Sequence, residues 1–298
     1  MSFCSDIKNE LAKIRPSECC KEPLCYGFLL FSRFFSIKKM GMQTENKGSA
    51  LLYRELLGAV YGAEVSLSVG GSLRPTYKAE VVNETDRLRI LASVDFGIYN
   101  GSINRDALGR ECCCASFIRG AFLACGHLSD PSNSYRADFP VRDESLAREL
   151  KALLEEHYIS ANISRRGNGF VVYIKRSEMV INLLTVIGAS ARSLEFIETT
   201  ILKELNNKTN RAINCDAKNI NRTVEAAEKQ RRAIEYLYAA DRLESLPAEL
   251  VAAAKLRIEN PSASLKELCA VSSEPITPSG LNHRFKRIYD AYEKAKKQ

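Results

Sequence analysis

Apolar and polar positions along the chain fall into runs of helical and strand periodicity, and the order of those runs repeats. An apolar segment around 23–35 predicts a helix, residues 36–44 an extended stretch, and residues 47–62 a second helix carrying Ala50, Leu51, Tyr53, Leu56, Leu57 and Val60. Val65, Leu67 and Val69, then Tyr77, Ala79 and Val81, alternate with polar residues, the period of a half-buried strand. The second half follows the same plan: a helix at 115–125, an extended stretch at 135–141, a helix at 144–158, strands near 162–165 and 170–175, and helices near 178–187 and 191–205. The doubling predicts an α+β domain over 1–205 with a pseudo-two-fold axis, an αββαββα unit used twice, with halves at about 1–105 and 106–205.

The pattern then breaks. Residues 203–220 are rich in Asn and charge and poor in large apolar side chains. Asn side chains compete for backbone hydrogen bonds and favour turns and caps, so a linker is expected at 206–220. Arg211, Asn214, Lys218 and Arg222 can touch a nucleic-acid backbone there, although a solvated linker is the plainer reading.

Helical periodicity resumes in an all-α domain at 221–298. Its first helix covers 221–238, with Thr223 as cap and Val224, Ala227, Ile234 and Leu237 on the apolar side. A second runs from Pro247 to Ile258 and stops before Asn260-Pro261. Ser264-Leu265-Lys266-Glu267 is a capping-box signature and predicts a short helix at 265–271, ended by a turn holding Ser272, Ser273, Pro275 and Pro278. In the last helix, 278–295, Leu281, Phe285, Ile288 and Tyr292 form one apolar face, while Ser279, Asn282, His283, Arg284, Lys286 and Arg287 occupy the others.

A short capped helix, a turn and a basic amphipathic helix make a helix-turn-helix over 264–297, the layout that places its second helix in the major groove. Asn282 and Arg284 are types that read base edges, and Lys286, Arg287 and the Lys294–Lys297 tail suit phosphates. Ser264 and Thr277, at the starts of the two helices, and Ser279 and His283 complete the expected DNA-binding set. The bland alternative is the solvated surface of an ordinary bundle, and His283 beside two arginines needs no special role.

Charge supports a polyanionic partner. Residues 203–298 hold 18 Lys and Arg against 13 Asp and Glu, whereas residues 1–202 hold 25 against 23, so most of the net charge of +7 lies in the last third. Asp6, Lys8, Glu10, Lys13 and Arg15 interrupt the N-terminus, which therefore lacks a signal-peptide core, and no run of 18 apolar residues exists. A cytoplasmic protein with no membrane span is expected. The ten cysteines then belong to a reducing compartment as small buried hydrophobes. No pair has Cys-x-x-Cys spacing and Cys112, Cys113 and Cys114 are contiguous, so neither a metal nor any cofactor is expected.

The two repeated apolar helices are rich in small residues. Leu24-Cys25-Tyr26-Gly27-Phe28-Leu29-Leu30-Phe31-Ser32 and Phe117-Ile118-Arg119-Gly120-Ala121-Phe122-Leu123-Ala124-Cys125-Gly126 place glycines where two backbones can approach closely. This arrangement resembles the LAGLIDADG homing-endonuclease fold, in which two motif helices pack at the centre and carry a saddle of strands. That fold implies an acidic metal ligand at the end of each motif helix. Aligned glycine to glycine, those positions fall on Ser32 and Cys125, neither of which is a hard-cation ligand. An active metal-dependent DNA endonuclease is the rival reading; Asp130, beyond Gly126, is a carboxylate it could use, although Leu-Ser-Asp-Pro-Ser reads better as a turn.

Three segments in order carry a wider resemblance: Arg110-Glu111-Cys112-Cys113-Cys114-Ala115-Ser116-Phe117-Ile118-Arg119-Gly120-Ala121-Phe122-Leu123-Ala124-Cys125-Gly126-His127-Leu128-Ser129-Asp130-Pro131, then Asn210-Arg211-Ala212-Ile213-Asn214-Cys215-Asp216-Ala217-Lys218-Asn219, then Ser264-Leu265-Lys266-Glu267-Leu268 with Ile276-Thr277-Pro278-Ser279-Gly280-Leu281-Asn282-His283-Arg284. Together they resemble the WhiA family of bacterial sporulation and cell-division regulators. The resemblance implies a degenerate LAGLIDADG domain joined to a helix-turn-helix. It further implies a non-catalytic, nucleoid-associated regulator of sporulation, division or chromosome segregation. Double-stranded DNA is the expected partner, with other transcription or division proteins as further partners of the N-terminal saddle and no small-molecule substrate.

Overall fold

The computed structural model describes residues 2–71, 74–94 and 102–297. They divide into two compact units, Met1–Glu204 and Leu205–Gln298.

In the first unit a short helix α1 (Phe3–Leu11) precedes two repeats of one plan. The first is α2 (Glu18–Leu30), β1 (Phe34–Phe35), β2 (Met40–Thr44), α3 (Lys47–Tyr61), β3 (Val65–Gly70), β4 (Thr76–Val81) and α4 (Glu84–Ser93). The second is α5 (Glu111–Cys125), β5 (His127–Leu128), β6 (Ala137–Val141), α6 (Glu144–Glu156), β7 (Asn162–Arg166), β8 (Gly169–Ile174) and α7 (Ser177–Ile187). Each repeat folds into a four-stranded antiparallel sheet of equivalent order, β1-β2-β4-β3 and β5-β6-β8-β7. Met42 and Leu67 flank Ala79 across the first sheet as Phe139 and Ile163 flank Val172 across the second. The doubled αββαββα plan is thus present, with α1 and α4 in addition to the helices that periodicity predicts.

The centre of this unit is the α2–α5 pair. A Cβ on Gly27 would lie 2.1 Å from the Phe117 carbonyl oxygen, and one on Gly120 would lie 2.3 Å from that of Leu24. The two backbones therefore touch, and any larger residue at either position would force them apart. Tyr26 and Phe117 pack beside the crossing, ring centroids 5.2 Å apart. Helix α2 begins at Glu18, well before the apolar run, because an acidic first turn suits a helix N-terminus. Pro23 sits inside it and supplies no N–H to the Cys19 carbonyl. The Cys113 thiol, from α5, donates to that carbonyl instead at 3.2 Å.

Gly188, at φ 89°, ends α7 and lets α8 start two residues later. Helix α8 runs unbroken over Ser190–Ala239, where the sequence predicts two helices and a linker. The physical reason is that the segment contains no Gly or Pro. Asn costs only about 0.7 kcal/mol per residue against Ala in a helix, a penalty the continuous ladder absorbs. Thr223 is not a cap here: its hydroxyl donates to the Asn219 carbonyl in mid-helix, and Thr209 bonds back to Leu205 in the same way.

In the second unit, α9 (Ala248–Glu259), α10 (Leu265–Val271) and α11 (Pro278–Lys296) follow. Ile234 and Leu237 of α8, Leu250, Ala253 and Ala254 of α9, Leu268 of α10, and Leu281, Phe285 and Ile288 of α11 form one core. Val224, expected on the apolar side, is exposed.

Candidate nucleic-acid interface

The capping box at Ser264 is formed in full: the Ser264 hydroxyl accepts from the Glu267 N–H at 3.3 Å, and the Glu267 carboxylate accepts from the Ser264 N–H at 2.7 Å. These bonds hold the Glu267 carboxyl below its usual range. Thr277 caps α11 by accepting from the Gly280 N–H at 3.2 Å, with Pro278 in the first turn. Both hydroxyls, expected among the DNA-facing groups, are thus engaged in starting their helices.

Burial of Leu281, Phe285 and Ile288 fixes the rotation of α11. Ser279, Asn282, His283 and Lys286 then share the opposite, exposed face at i, i+3, i+4 and i+7. Arg284 and Arg287 lie on the flank between the two faces. Both Arg284 terminal nitrogens sit 3.4 Å from the Glu274 carboxylate, and Arg287 pairs with Glu249 of α9. The structure therefore separates the predicted set into four outward groups, two arginines held in ion pairs, and two caps. Beneath them the Arg257 guanidinium, 2% exposed, donates to the Gln230 side chain at 2.9 Å and to the carbonyls of Asn260 and Ala263, and lies 5.3 Å from the Phe285 ring centroid. Sequence reading did not single out Arg257, because nothing in its spacing distinguishes it from a surface arginine.

Arg211, Asn214, Lys218 and Arg222 are exposed on α8. Their offsets of three, seven and eleven from Arg211 bring them to one helical face instead of a flexible linker.

The other expected site lies at the C-terminal ends of α2 and α5. The Ser32 hydroxyl donates to the Phe28 carbonyl at 2.5 Å, and burial pushes the Cys125 thiol up to about 12, with the Lys8 charge opposing. A groove of about 310 Å³ runs between these ends, lined by residues that include Ser32, Arg33, Gln43, Cys125 and Arg142; among the described residues its lining has no carboxylate. Helix α1 brings Lys8 close to Cys125, and burial lowers the Lys8 pKa. Arg33 and Arg142 line the groove, Arg142 paired with Asp143 at 3.2 Å; nothing in the sequence placed Lys8 at this end, because α1 was not anticipated. Asp130 spends its carboxylate on the N–H and hydroxyl of Ser132, at 2.8 and 2.5 Å, as a turn. No helix among the described residues is long and apolar enough to cross a membrane.

The cysteines do not all behave as buried hydrophobes. Cys19, Cys112 and Cys215 are exposed. The thiols of Cys19, Cys20, Cys112 and Cys113 meet at the N-terminal ends of α2 and α5, all four sulfurs within 4.8 Å of one another. Spacing along the chain hides this convergence, because each pair is contiguous and the two pairs come from different halves.

Residues 114–206 match the family described as the WhiA LAGLIDADG-like domain, and residues 209–292 the WhiA C-terminal HTH domain. Over its whole length the chain is 33% identical to the probable cell division protein WhiA of Heliobacterium modesticaldum, covering 98% of that protein. It is 34% identical to the protein of the same name from Oceanobacillus iheyensis, again over 100% of the chain and 98% of the relative. In fold it is similar to the crystal structure of full-length DUF199/WhiA from Thermotoga maritima, with a TM-score of 0.59, 22% identity and 99% of each chain covered. The chain is a member of the WhiA family.

Proposed function

We propose that this protein is a non-catalytic, DNA-binding regulator of the cell-division class, acting in the cytoplasm on the nucleoid. Its helix-turn-helix engages double-stranded DNA, and its LAGLIDADG-like unit assists through DNA or a protein partner. The observation that carries the reading is the α11 face of Ser279, Asn282, His283 and Lys286, held outward by the burial of Leu281, Phe285 and Ile288. Asn282 supplies the donor and acceptor pair that fits an adenine edge, and Lys286 a phosphate charge. The same-face cations Arg211, Lys218 and Arg222 add backbone contacts. A role in sporulation and chromosome segregation is part of this proposal, in keeping with the name of the relatives as cell division proteins.

At the ends of α2 and α5, Ser32 and Cys125 offer no hard oxygen pair for a divalent ion. Arg33 and Arg142 line the groove there, Arg142 paired with Asp143, and such arginines suit a phosphate backbone held without hydrolysis.

An anisotropy titration of duplex DNA over a salt series tests the reading. Binding whose logarithm falls linearly with log salt, with a slope reduced by about one unit in Lys286→Ala, is expected. Absence of binding at low salt, or an unchanged slope in that variant, would refute it. Cleavage of supercoiled plasmid in Mg²⁺ would refute the non-catalytic half.

A further inference from the structure

The thiol cluster at the opposite end of the α2–α5 pair has no part in the function proposed above. Glu18-Cys19-Cys20 opens α2 and Glu111-Cys112-Cys113 opens α5. In each helix the first cysteine stands eight residues before the glycine of the crossing, Cys19 before Gly27 and Cys112 before Gly120. Because those glycines lock the helices together, equal offsets carry both pairs to one place.

There the Cys19 sulfur lies 3.8 Å from that of Cys20 and 3.9 Å from that of Cys112. Four thiolates around a tetrahedral zinc, at about 2.3 Å each, have sulfur–sulfur edges of about 3.8 Å. Two edges are therefore already at the required length. The widest separation the cluster allows, 4.8 Å, has to close by only about 1 Å. We propose that Cys19, Cys20, Cys112 and Cys113 bind one Zn²⁺ ion, as a structural centre that fastens the first repeat to the second.

Ligand chemistry selects the ion: an all-sulfur tetrahedral set suits zinc and rejects Mg²⁺ and Ca²⁺. Binding exchanges four thiol protons, released to solvent, for one Zn²⁺, and leaves a centre of net charge 2−. That charge faces the N-termini of α2 and α5, the positive ends of two helix dipoles, with Arg110 close enough to act on Cys19. Cys20 and Cys113 are buried while Cys19 and Cys112 are exposed, which leaves the ion a path from solvent. Loss of the Cys113 and Cys20 protons frees the Cys19 and Cys112 carbonyls, and the exposure of Cys19 and Cys112 lets water replace those bonds.

The full chain, purified in reductant and stripped of metal, is titrated with Co²⁺ and then Zn²⁺. The expected result is one Co²⁺ per chain with thiolate charge-transfer bands and the visible bands of a tetrahedral site, displaced by Zn²⁺. Cys19→Ser with Cys112→Ser abolishes the bands, whereas Cys114→Ser with Cys215→Ser keeps them. The unmutated protein supplies a reading that does not depend on the variants folding: Zn²⁺ slows alkylation of Cys19 and Cys112 by about tenfold or more while leaving Cys215 unchanged. Absence of stoichiometric binding, bands that survive in the Cys19/Cys112 variant, equal alkylation with and without Zn²⁺, or a Cys19–Cys112 disulfide in protein isolated without oxygen would each overturn the proposal.

Discussion

Arg284 reaches back across the turn of the helix-turn-helix to Glu274, and both of its terminal nitrogens address the same carboxylate oxygen at 3.4 Å. The bond fixes a guanidinium at the edge of the exposed α11 face, yet it also competes with any phosphate or guanine that would take the arginine. A surface pair of this kind is worth about 0–1 kcal/mol, so DNA can displace it. Replacing Glu274→Gln removes the competitor. Duplex affinity at low salt is expected to rise about three- to tenfold, with a salt slope steeper by about one unit, in an anisotropy titration. Unchanged affinity would place Arg284 outside the interface.

Asn282 and Lys286 are expected to fail in different ways. Lys286→Ala weakens specific and non-specific duplexes alike. Asn282→Ala weakens the preferred sequence by about 1–3 kcal/mol and leaves random DNA nearly untouched. A competition assay with the two duplexes distinguishes them, and equal losses for Asn282→Ala on both would remove it from base reading.

The crossing of α2 and α5 tolerates no side chain. Gly120→Ala puts a methyl 2.3 Å from the Leu24 carbonyl oxygen, and the helices must separate. Destabilisation of about 3 kcal/mol or more is expected, a fall of about 6 °C or more in Tm. Gly70→Ala, where a Cβ meets nothing within 4 Å, is the control and should move Tm little. Thermal unfolding followed by circular dichroism reads both.

Burial of Arg257 with no carboxylate partner among the described residues makes a further test. Three hydrogen bonds and the Phe285 ring satisfy its planar fork, and Lys cannot reproduce that geometry. Arg257→Lys is expected to cost about 2–4 kcal/mol in urea unfolding. A cost under about 0.5 kcal/mol would show the site to be loosely held.

The helix-turn-helix was legible because its signals are local. Ser264 and Glu267 cap each other within one turn, and Leu281, Phe285 and Ile288 share a face by spacing alone. The glycines of the central pair were legible too, since small residues on two repeated apolar helices have few other uses. What stayed hidden depends on partners distant in sequence. The pairing of Arg287 with Glu249 and the meeting of Cys19 with Cys112 require the tertiary fold. The Asn-rich stretch failed for a different reason: the local preference of Asn for turns is weak, and without Gly or Pro nothing ends the helix between Ser190 and Ala239.

The helix crossing also bears on how such a fold can change its trade. Gly27 and Gly120 join the helices through backbone atoms three and five residues before the ends of α2 and α5, and thiol-to-carbonyl hydrogen bonds from Cys113 to Cys19 and from Cys20 to Cys112 join their N-terminal tips. Ser32 and Cys125 lie beyond that crossing, so side chains at this tip can change without loosening the joint. Thiols can gather at the other tip without consulting the first. A pair of helices held by its crossing and its N-terminal tips leaves the C-terminal tips free to vary, so the chemistry of that end can change without a change of fold.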